Sequence, residues 1–358
     1  MYAYLLNTSF ETTKIIDTFE SFIWTDRYQE AGDFEIYTFP SKDIINDVQQ
    51  NYYLVNPESD HTMIVESREI KTDLEVGNKI IITGHSLEYI LHRRVIIDPI
   101  TINGSLQDGI EKILNVTIIN PDDQNRKINN FIFIKNEDIE ITKLILSAQY
   151  EGENIYDVIC DICKTHEIGF KITLTSDNKF AFKLYKGKNR SYNQDINPYV
   201  IFSPSFENII NSSYIKDIAE YANTSIVVGD TKTYGRMIRV LGNQTGLNRR
   251  EIYTDARSIS DTDNNQQTIP KNEYINTIES QGREDLRKSK IKEIFDGQVE
   301  TTRTYVYGID FFLGDTVQIV NEYDMEGTSF ISEIIWTQDD SGITVYPTFV
   351  STDMEEEI

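Results

Sequence analysis

Residues 19–39 read FESFIWTDRYQEAGDFEIYTF and carry the clearest strand pattern of the chain. Apolar and polar side chains alternate over 18–24 and again over 33–39, as they do in strands with one buried face. The tripeptide Ala31–Asp33 lies between the two runs and predicts a turn. This segment therefore predicts two strands joined by a turn.

Strand patterns continue toward both ends of the chain, while the middle is richer in helical patterns. Further strands are predicted at 2–7, 52–55, 61–68, 79–83, 170–174, 180–185, 206–212, 223–228, 236–241, 299–307, 316–321, 329–336 and 344–350. Amphipathic helices are predicted at 86–94, 105–115, 155–166 and 273–295. Pro270 can open the last helix, and Gly282 could divide it into two.

Two stretches of the chain echo each other. In the first stretch, Leu54-Val55-Asn56 is followed by a turn, by the run 63–66 and by a predicted strand after Gly77. In the second stretch, Ile319-Val320-Asn321 is followed by a turn, by the run 330–333 and by a predicted strand after Gly342. Either any two meanders look this similar, or the chain contains two copies of one small β-barrel.

These patterns predict a mainly β fold with α+β insertions. We expect a first β-barrel domain over 1–100 and intermediate α+β modules over 101–205. Strands and a long helix over 206–350 complete a second, related barrel, followed by an acidic tail over 351–358.

Composition excludes several classes of protein. The 358 residues carry 34 Lys and Arg against 58 Asp and Glu, a net charge of −24 that disfavours contact with a nucleic-acid backbone. A hydrophobic content of 39% is enough for packed cores, and two cysteines are too few for a disulfide-stapled fold. The chain shows neither a membrane-spanning apolar run nor a signal peptide, so we expect synthesis in a cytoplasm without membrane insertion.

Cys160, Cys163 and His166 form the best metal candidate. They supply one half-site on the apolar face of a predicted helix, whereas a tetrahedral site needs about four ligands. We expect the cysteines to pack as small hydrophobes, with metal binding as the alternative. No metal and no cofactor are predicted.

Gly84-His85-Ser86-Leu87-Glu88 lies where a hydrolase nucleophile elbow would lie. Glu88 replaces the second glycine that the sharp turn requires. We therefore expect Ser86 to cap the following helix and Glu88 to favour its dipole. Neither a phosphate-binding glycine loop nor a His-Glu-x-x-His motif occurs, so no catalytic residues are predicted and the chain is not expected to be an enzyme.

The segment 19–35 also resembles a known family. It is similar to the hub portion of the tail-associated, Tal-like proteins of siphophages. The further matching motifs, in the same order, are MIVE (63–66), GHSLE (84–88) with Leu91, Arg93 and Arg94, VIFS (200–203), GIDFFLGD (308–315) and residues 334–349.

The resemblance implies a baseplate or tail-tip hub related to those of contractile tails. Such hubs are ring-forming homotrimers in which each chain contributes two related barrels, so that six similar units meet a six-fold tail tube. The implied partners are a distal tail or tail tube protein, the tape measure protein and a tail fibre or spike. DNA would pass through the channel without specific binding. The protein would be made in the host bacterial cytoplasm and reside at the tail tip of the virion.

The resemblance also marks residues of structural interest. Trp24, Tyr28 and Phe34 are expected in a barrel core or, alternatively, at a subunit contact, and Gly32 and Glu35 belong to the same motif.

Four further residues lie outside that motif. Gly314 and Asp315 predict a turn before a strand. Arg93 and Arg94 are either a solvated helix end or partners in salt bridges across the trimer.

Many members of this family continue past the hub into a peptidase, fibre or host-binding region. Here the chain ends just after the last predicted strand, so we expect the hub role without the wall-degrading one. Two other functions stay open from the sequence: a tail-tip cell-wall hydrolase, and a carbohydrate- or receptor-binding tail protein.

Overall fold

Strands from the two ends of the chain join in one large sheet. The computed structural model describes residues 1–73, 77–262, 267–299 and 304–351, and within them it has five α-helices and twenty-one strands. The helices are α1 (Lys42–Asp47), α2 (Leu106–Leu114), α3 (Ile139–Thr142), α4 (Ile155–Thr165) and α5 (Lys271–Lys288). The strands are β1 (Ala3–Leu6), β2 (Thr12–Ile16), β3 (Ser21–Arg27), β4 (Asp33–Thr38), β5 (Tyr53–Val55), β6 (Thr62–Asp73), β7 (Gly77–Ser86), β8 (Ile100–Ser105), β9 (Phe131–Ile134), β10 (Ile145–Tyr150), β11 (Gly169–Leu174), β12 (Phe180–Tyr185), β13 (Ile201–Phe202), β14 (Ile209–Asp217), β15 (Thr224–Thr231), β16 (Gly235–Leu241), β17 (Glu251–Asp255), β18 (Lys292–Val299), β19 (Thr316–Val320), β20 (Glu326–Asp339) and β21 (Gly342–Ser351).

The large sheet contains eleven of the described strands. Its order is β13-β19-β20-β3-β4-β7-β6-β5-β1-β2, with β21 paired to β20. The two strands and the turn predicted from 19–39 are confirmed as β3 and β4, which pair antiparallel with Trp24 opposite Phe34. Both side chains are buried, as the alternation requires.

The long strand β20 joins the two halves of this sheet. Its residues 326–330 pair with β19 and its residues 333–338 pair with β3, so that Trp336 lies opposite Trp24. The register shifts between Ile331 and Glu333, where β20 passes from one partner to the other. Such a bulge bends a strand, which allows one strand to serve both halves.

One hydrophobic core covers both halves. Its largest fully buried side chains are Trp24, Trp336, Phe22, Phe202 and Phe311. Because Phe22 and Trp24 come from the N-terminal part of the sequence and Phe311 and Trp336 from the C-terminal part, neither half of the sheet can bury its inner face without the other.

The two echoing stretches have the same hydrogen-bonded layout. β5-β6-β7 and β19-β20-β21 are antiparallel meanders, each with a bulge in its middle strand. Asn56 Oδ1 accepts from the Glu58 N–H at 3.1 Å, and Asn321 Oδ1 accepts from the Tyr323 N–H at 2.9 Å. The same asparagine turn therefore connects the first two strands in each copy.

A second core fills the middle of the chain. The helices predicted at 105–115 and 155–166 are confirmed as α2 and α4, and the strands predicted at 170–174 and 180–185 are confirmed as β11 and β12, which pair antiparallel. Cys160 and Cys163 are free and buried in this core, as expected of small hydrophobes. Strands β8, β9 and β10 were not predicted, because apolar runs of only four to six residues do not distinguish a strand from a short buried helix.

A third, smaller core lies between α5 and the sheet of β16, β15 and β17. The helix predicted over 273–295 is wrong in its last part, since α5 ends at Lys288 and 292–299 form β18 paired with β14. Gly282 does not break the helix. A Cβ there would lie 2.3 Å from Val227 Cγ2, so this glycine lets α5 pack closely on β15.

The remaining sequence predictions concern the edges of elements. β14 begins at Ile209, later than the predicted start at 206. Of the strand predicted over 299–307, residues 300–303 lie outside the described residues and 304–306 are not in a strand. Of the acidic tail predicted over 351–358, Ser351 ends β21 and residues 352–358 lie outside the described residues. Among the helices that are described, none is long and apolar enough to cross a membrane.

Gly282→Ala should destabilise α5 although alanine is the better helix former. The added methyl overpacks the contact with β15 at a cost of about 1–3 kcal/mol, against a propensity gain of roughly 1 kcal/mol. Amide hydrogen exchange in α5 should accelerate. The exposed Asn276→Ala in the same helix serves as the control and should slow exchange. Slower exchange in both variants would contradict the packing argument.

Candidate functional site at the junction of the modules

Tyr28 occupies the place where the large sheet meets the middle module. Its ring lies between Gly169 and Gly314, and a Cβ on either glycine would approach Tyr28 Cε2 to 2.3 Å. The Gly187 N–H donates to the Tyr28 hydroxyl at 3.2 Å. The ring therefore fits only because Gly169 and Gly314, both distant from it in sequence, leave room for it, while Gly187 binds its hydroxyl.

Further contacts fix Tyr28 to both sides of the junction. Its ring meets Tyr185 edge-on at 5.1 Å between centroids and tilts against Phe330 at 5.8 Å. Its N–H donates to the Ser332 carbonyl at 2.9 Å, and the Phe170 N–H donates to its carbonyl at 3.2 Å. Burial raises the pKa of Tyr28 well above its usual value, so the hydroxyl stays neutral.

Gly314 and Asp315 form the predicted turn before β19. Gly314 has φ +87°, in the left-handed region that glycine favours. Asp315 is buried and accepts hydrogen bonds from the Lys188 N–H at 2.6 Å and from Arg190 Nε at 2.6 Å. Arg190 is buried as well, so this ion pair fixes the segment that follows β12 against the turn.

A second buried network lies under the inner face of β3, the face that also carries Phe22 and Trp24. Asp26 accepts from Trp24 Nε1 at 2.9 Å and from Ser59 Oγ at 2.6 Å. His61 Nδ1 lies 3.3 Å from Glu88 Oε1, at ion-pair distance but without hydrogen-bond geometry. Glu88 Oε1 also accepts a hydrogen bond from the Ile172 N–H at 2.6 Å, so this carboxylate ties the large sheet to β11.

The three ionisable groups of this network shift one another's pKa. Burial opposes the charge on His61, but the carboxylates of Asp26 and Glu88 outweigh it and raise the pKa of His61 to about 9. Burial raises the pKa of Asp26. Burial also acts to raise the pKa of Glu88, but His61 and the hydrogen bonds to this carboxylate lower it overall. At neutral pH the network therefore contains a charged imidazole.

The expectation for Ser86 is corrected here, whereas Glu88 lies where it was expected. Residues Leu87–Arg93 form a 3-10 helix, and Ser86 Oγ does not cap it but accepts from the Gly32 N–H at 2.7 Å. Glu88 lies in the first turn of this helix, where a carboxylate favours the dipole, and it is also fully buried beside His61. Gly32 lies where two backbone segments approach closely, since a Cβ there would lie 2.1 Å from the Thr25 carbonyl oxygen.

A histidine between two carboxylates is able to move protons, but here it has no access to a substrate. Asp26, His61 and Glu88 are 1%, 3% and 0% exposed. In the described part of the chain, no group of three or more His, Cys, Asp or Glu side chains is arranged to hold a metal ion. What this arrangement does is join the large sheet to the middle module.

The structure brings three of the nine predicted site residues, Tyr28, Gly314 and Asp315, to this junction. Trp24 donates to Asp26 of the buried network, Phe34 packs in the core of the large sheet, and Gly32 donates to Ser86. Glu35 is half-buried on β4, and Arg93 and Arg94 lie at the end of the 3-10 helix. The sequence missed His61 and Arg190. Asp26 could have been noticed, because it continues the inward register of Phe22 and Trp24.

The fold of this chain is that of phage tail proteins. It matches the tail protein from Neisseria meningitidis MC58 with a TM-score of 0.60 at 12% identity, covering 98% of this chain and 97% of that one. It matches the 43 kDa tail protein of prophage MuSo2 from Shewanella oneidensis with 0.59 at 14% identity, covering 98% of each chain. It matches prophage tail protein gp18 from Listeria monocytogenes EGD-e with a TM-score of 0.57 at 12% identity, covering 99% of this chain and 96% of that one.

Residues 2–349 match the profile of the Siphovirus ReqiPepy6 Gp37-like protein family, and the chain belongs to that family. A comparison with curated protein sequences found no match. The resemblance to siphophage tail proteins drawn from the sequence is thus confirmed at the level of the family. Membership implies a place in the tail of the virion.

Gly314→Ala should destabilise the junction more than Gly308→Ala does. Both glycines have positive φ, +87° and +82°, so both variants suffer the same backbone strain. Only at Gly314 would the methyl strike the Tyr28 ring, since nothing lies within 4 Å of a Cβ at Gly308. In thermal unfolding, Gly314→Ala should lower the free energy of unfolding by about 1–3 kcal/mol more than Gly308→Ala does. Equal losses would contradict the role of Tyr28.

Stability should fall as the pH rises from about 7 through 9. His61 stabilises the fold fully below its unfolded pKa of about 6.5, and this contribution is lost as the pH passes its folded pKa of about 9. His61→Gln should lower stability at pH 7 by about 3 kcal/mol and flatten this profile. Melting temperatures measured across this range provide the check.

His166→Gln is the matched control for this profile. Burial lowers the pKa of His166 to about 4, so its contribution changes only on the acid side. The variant should keep the alkaline loss of stability. If the loss disappears in His166→Gln and persists in His61→Gln, the assignment to the Asp26–His61–Glu88 network is wrong.

Proposed function

We propose that this chain is the structural hub of a siphophage tail tip. Three copies would form a ring that adapts the six-fold tail tube to the three-fold tip and lines the DNA exit channel. The observation that carries this proposal is the repeated meander, β5-β6-β7 and β19-β20-β21, joined through β20 in one sheet.

Symmetry explains why a repeated meander suits such a role. A trimer of chains that each contain two similar β units presents six similar surfaces around one axis. Two β-barrels built on the two meanders would therefore meet a six-fold tube on one side. The rest of each chain would keep three-fold symmetry toward the tip.

Charge is consistent with DNA passage. Three chains of net charge −24 carry −72 in all. A wall dominated by carboxylates repels the phosphate backbone and keeps DNA from adhering to it. A channel lined mainly by Lys and Arg would contradict this part of the proposal.

The proposed role is non-enzymatic. The buried acid–base network of Asp26, His61 and Glu88 lies where no substrate reaches it, and its side chains are engaged in holding modules together. The partners of such a hub are a distal tail or tail tube protein, the tape measure protein and a fibre or spike. These partners follow from the proposed position in the tail.

The native mass of the full chain tests the proposal directly. Light scattering coupled to size exclusion should give about three chains per particle, and negative-stain images should show rings. A monomer at all concentrations would overturn the hub role. Clearing of peptidoglycan in a zymogram would favour a cell-wall hydrolase instead, and glycan binding by a monomer would favour a receptor-binding protein.

A further inference from the structure

Three arginines form a compact positive patch on this strongly acidic chain. We call Arg93, Arg94 and Arg126 the arginine patch. Arg94 Nε donates to the Arg126 carbonyl at 2.9 Å, and Arg94 Nη1 donates to the Arg93 carbonyl at 2.9 Å. Arg126 Nη2 donates in turn to the Val95 carbonyl. Arg93 is exposed, and the other two are half-buried.

The arginine patch has no acidic partner within the described part of the chain. Among those residues, no carboxylate oxygen lies within 4.0 Å of these three guanidinium groups. Other arginines do face carboxylates: Arg27 pairs with Asp33 and Arg239 with Glu279. Burial and the charges of Arg126 and Arg93 lower the pKa of Arg94, as expected where like charges lie close together.

Main-chain carbonyls prepare these side chains for an oxyanion. The carbonyls hold the guanidinium groups of Arg94 and Arg126 in place, so less side-chain freedom is lost when a ligand binds. Each guanidinium keeps further N–H groups for a carboxylate or phosphate, which it binds through two parallel hydrogen bonds. The sequence placed Arg93 and Arg94 together but gave no sign of Arg126, which lies 32 residues away from Arg94.

We propose that the arginine patch binds carboxylates of a neighbouring copy of this chain. This inference rests on the proposed homotrimer. Copies with a net charge of −24 repel one another, so their assembly depends on local contacts between opposite charges. With 58 acidic residues against 34 basic ones, carboxylates are the groups such a patch meets on a second copy. A nucleic acid is less favoured, because the whole chain repels it.

Reversing the charge of the arginine patch tests the inference. In analytical ultracentrifugation, Arg93→Glu combined with Arg126→Glu should weaken the trimer by at least about tenfold relative to wild type. Salt screens both the contacts of the arginine patch and the repulsion between acidic copies, so raising the salt concentration should narrow the difference in trimer stability between wild type and variant. The control variant combines Lys232→Glu with Arg236→Glu, because both side chains are exposed at the β15–β16 turn and the change in charge is the same. This control should stay trimeric.

A milder pair keeps the test valid if charge reversal disturbs folding. Arg93→Gln with Arg126→Gln should retain the wild-type circular dichroism spectrum and still weaken the trimer. If the trimers of this variant are as tight as those of the control, the proposed role of the arginine patch is wrong, while the proposed hub role still stands. A monomeric wild type would overturn both. Intact variant trimers that have lost binding to a short DNA duplex would identify a polyanion as the ligand and overturn the inference.

Discussion

The packing of one tyrosine ring between glycines is the constraint on which the rest of the structure depends. Tyr28 follows the central strand β3 and contacts the middle module through Gly169 and the C-terminal strands through Gly314. Ring packing of this kind tolerates almost no added volume, because protein interiors are as dense as organic crystals. The two ends of the chain and the module between them therefore meet in one geometry.

Buried charges reinforce the same junction. The Arg190–Asp315 pair and the Asp26–His61–Glu88 network contribute little net stability, because taking ions out of water offsets most of their attraction. Removing one partner, however, leaves an unpaired buried charge and costs several kcal/mol. Such networks thus penalise any alternative arrangement of the modules more than they stabilise the native one.

The shared sheet also fixes the relative position of the two meanders, which matters for the proposed trimer. Because β20 pairs with β19 and then with β3, the two similar meanders are held at a fixed offset within each chain. A fixed offset is what six similar surfaces around a three-fold axis require. In the proposed trimer, the acidity that would suit DNA passage would also make the copies repel one another, and a cationic surface such as the arginine patch would then have a role in their contact.

Sequence by itself determined the strands around 19–39, the helices α2 and α4, the turn at Gly314 and the family, since each depends on local periodicity or on a short motif. Tertiary structure alone decided the rest. Residues 292–295 continue the pattern of the helix predicted over 273–295, yet they pair in β18. Glu88 lies in the first turn of its helix as its position suggests, but no local pattern indicates that it is buried beside His61. The physical reason is sequence distance, because β20 meets β3 across some three hundred residues and no local pattern encodes that pairing.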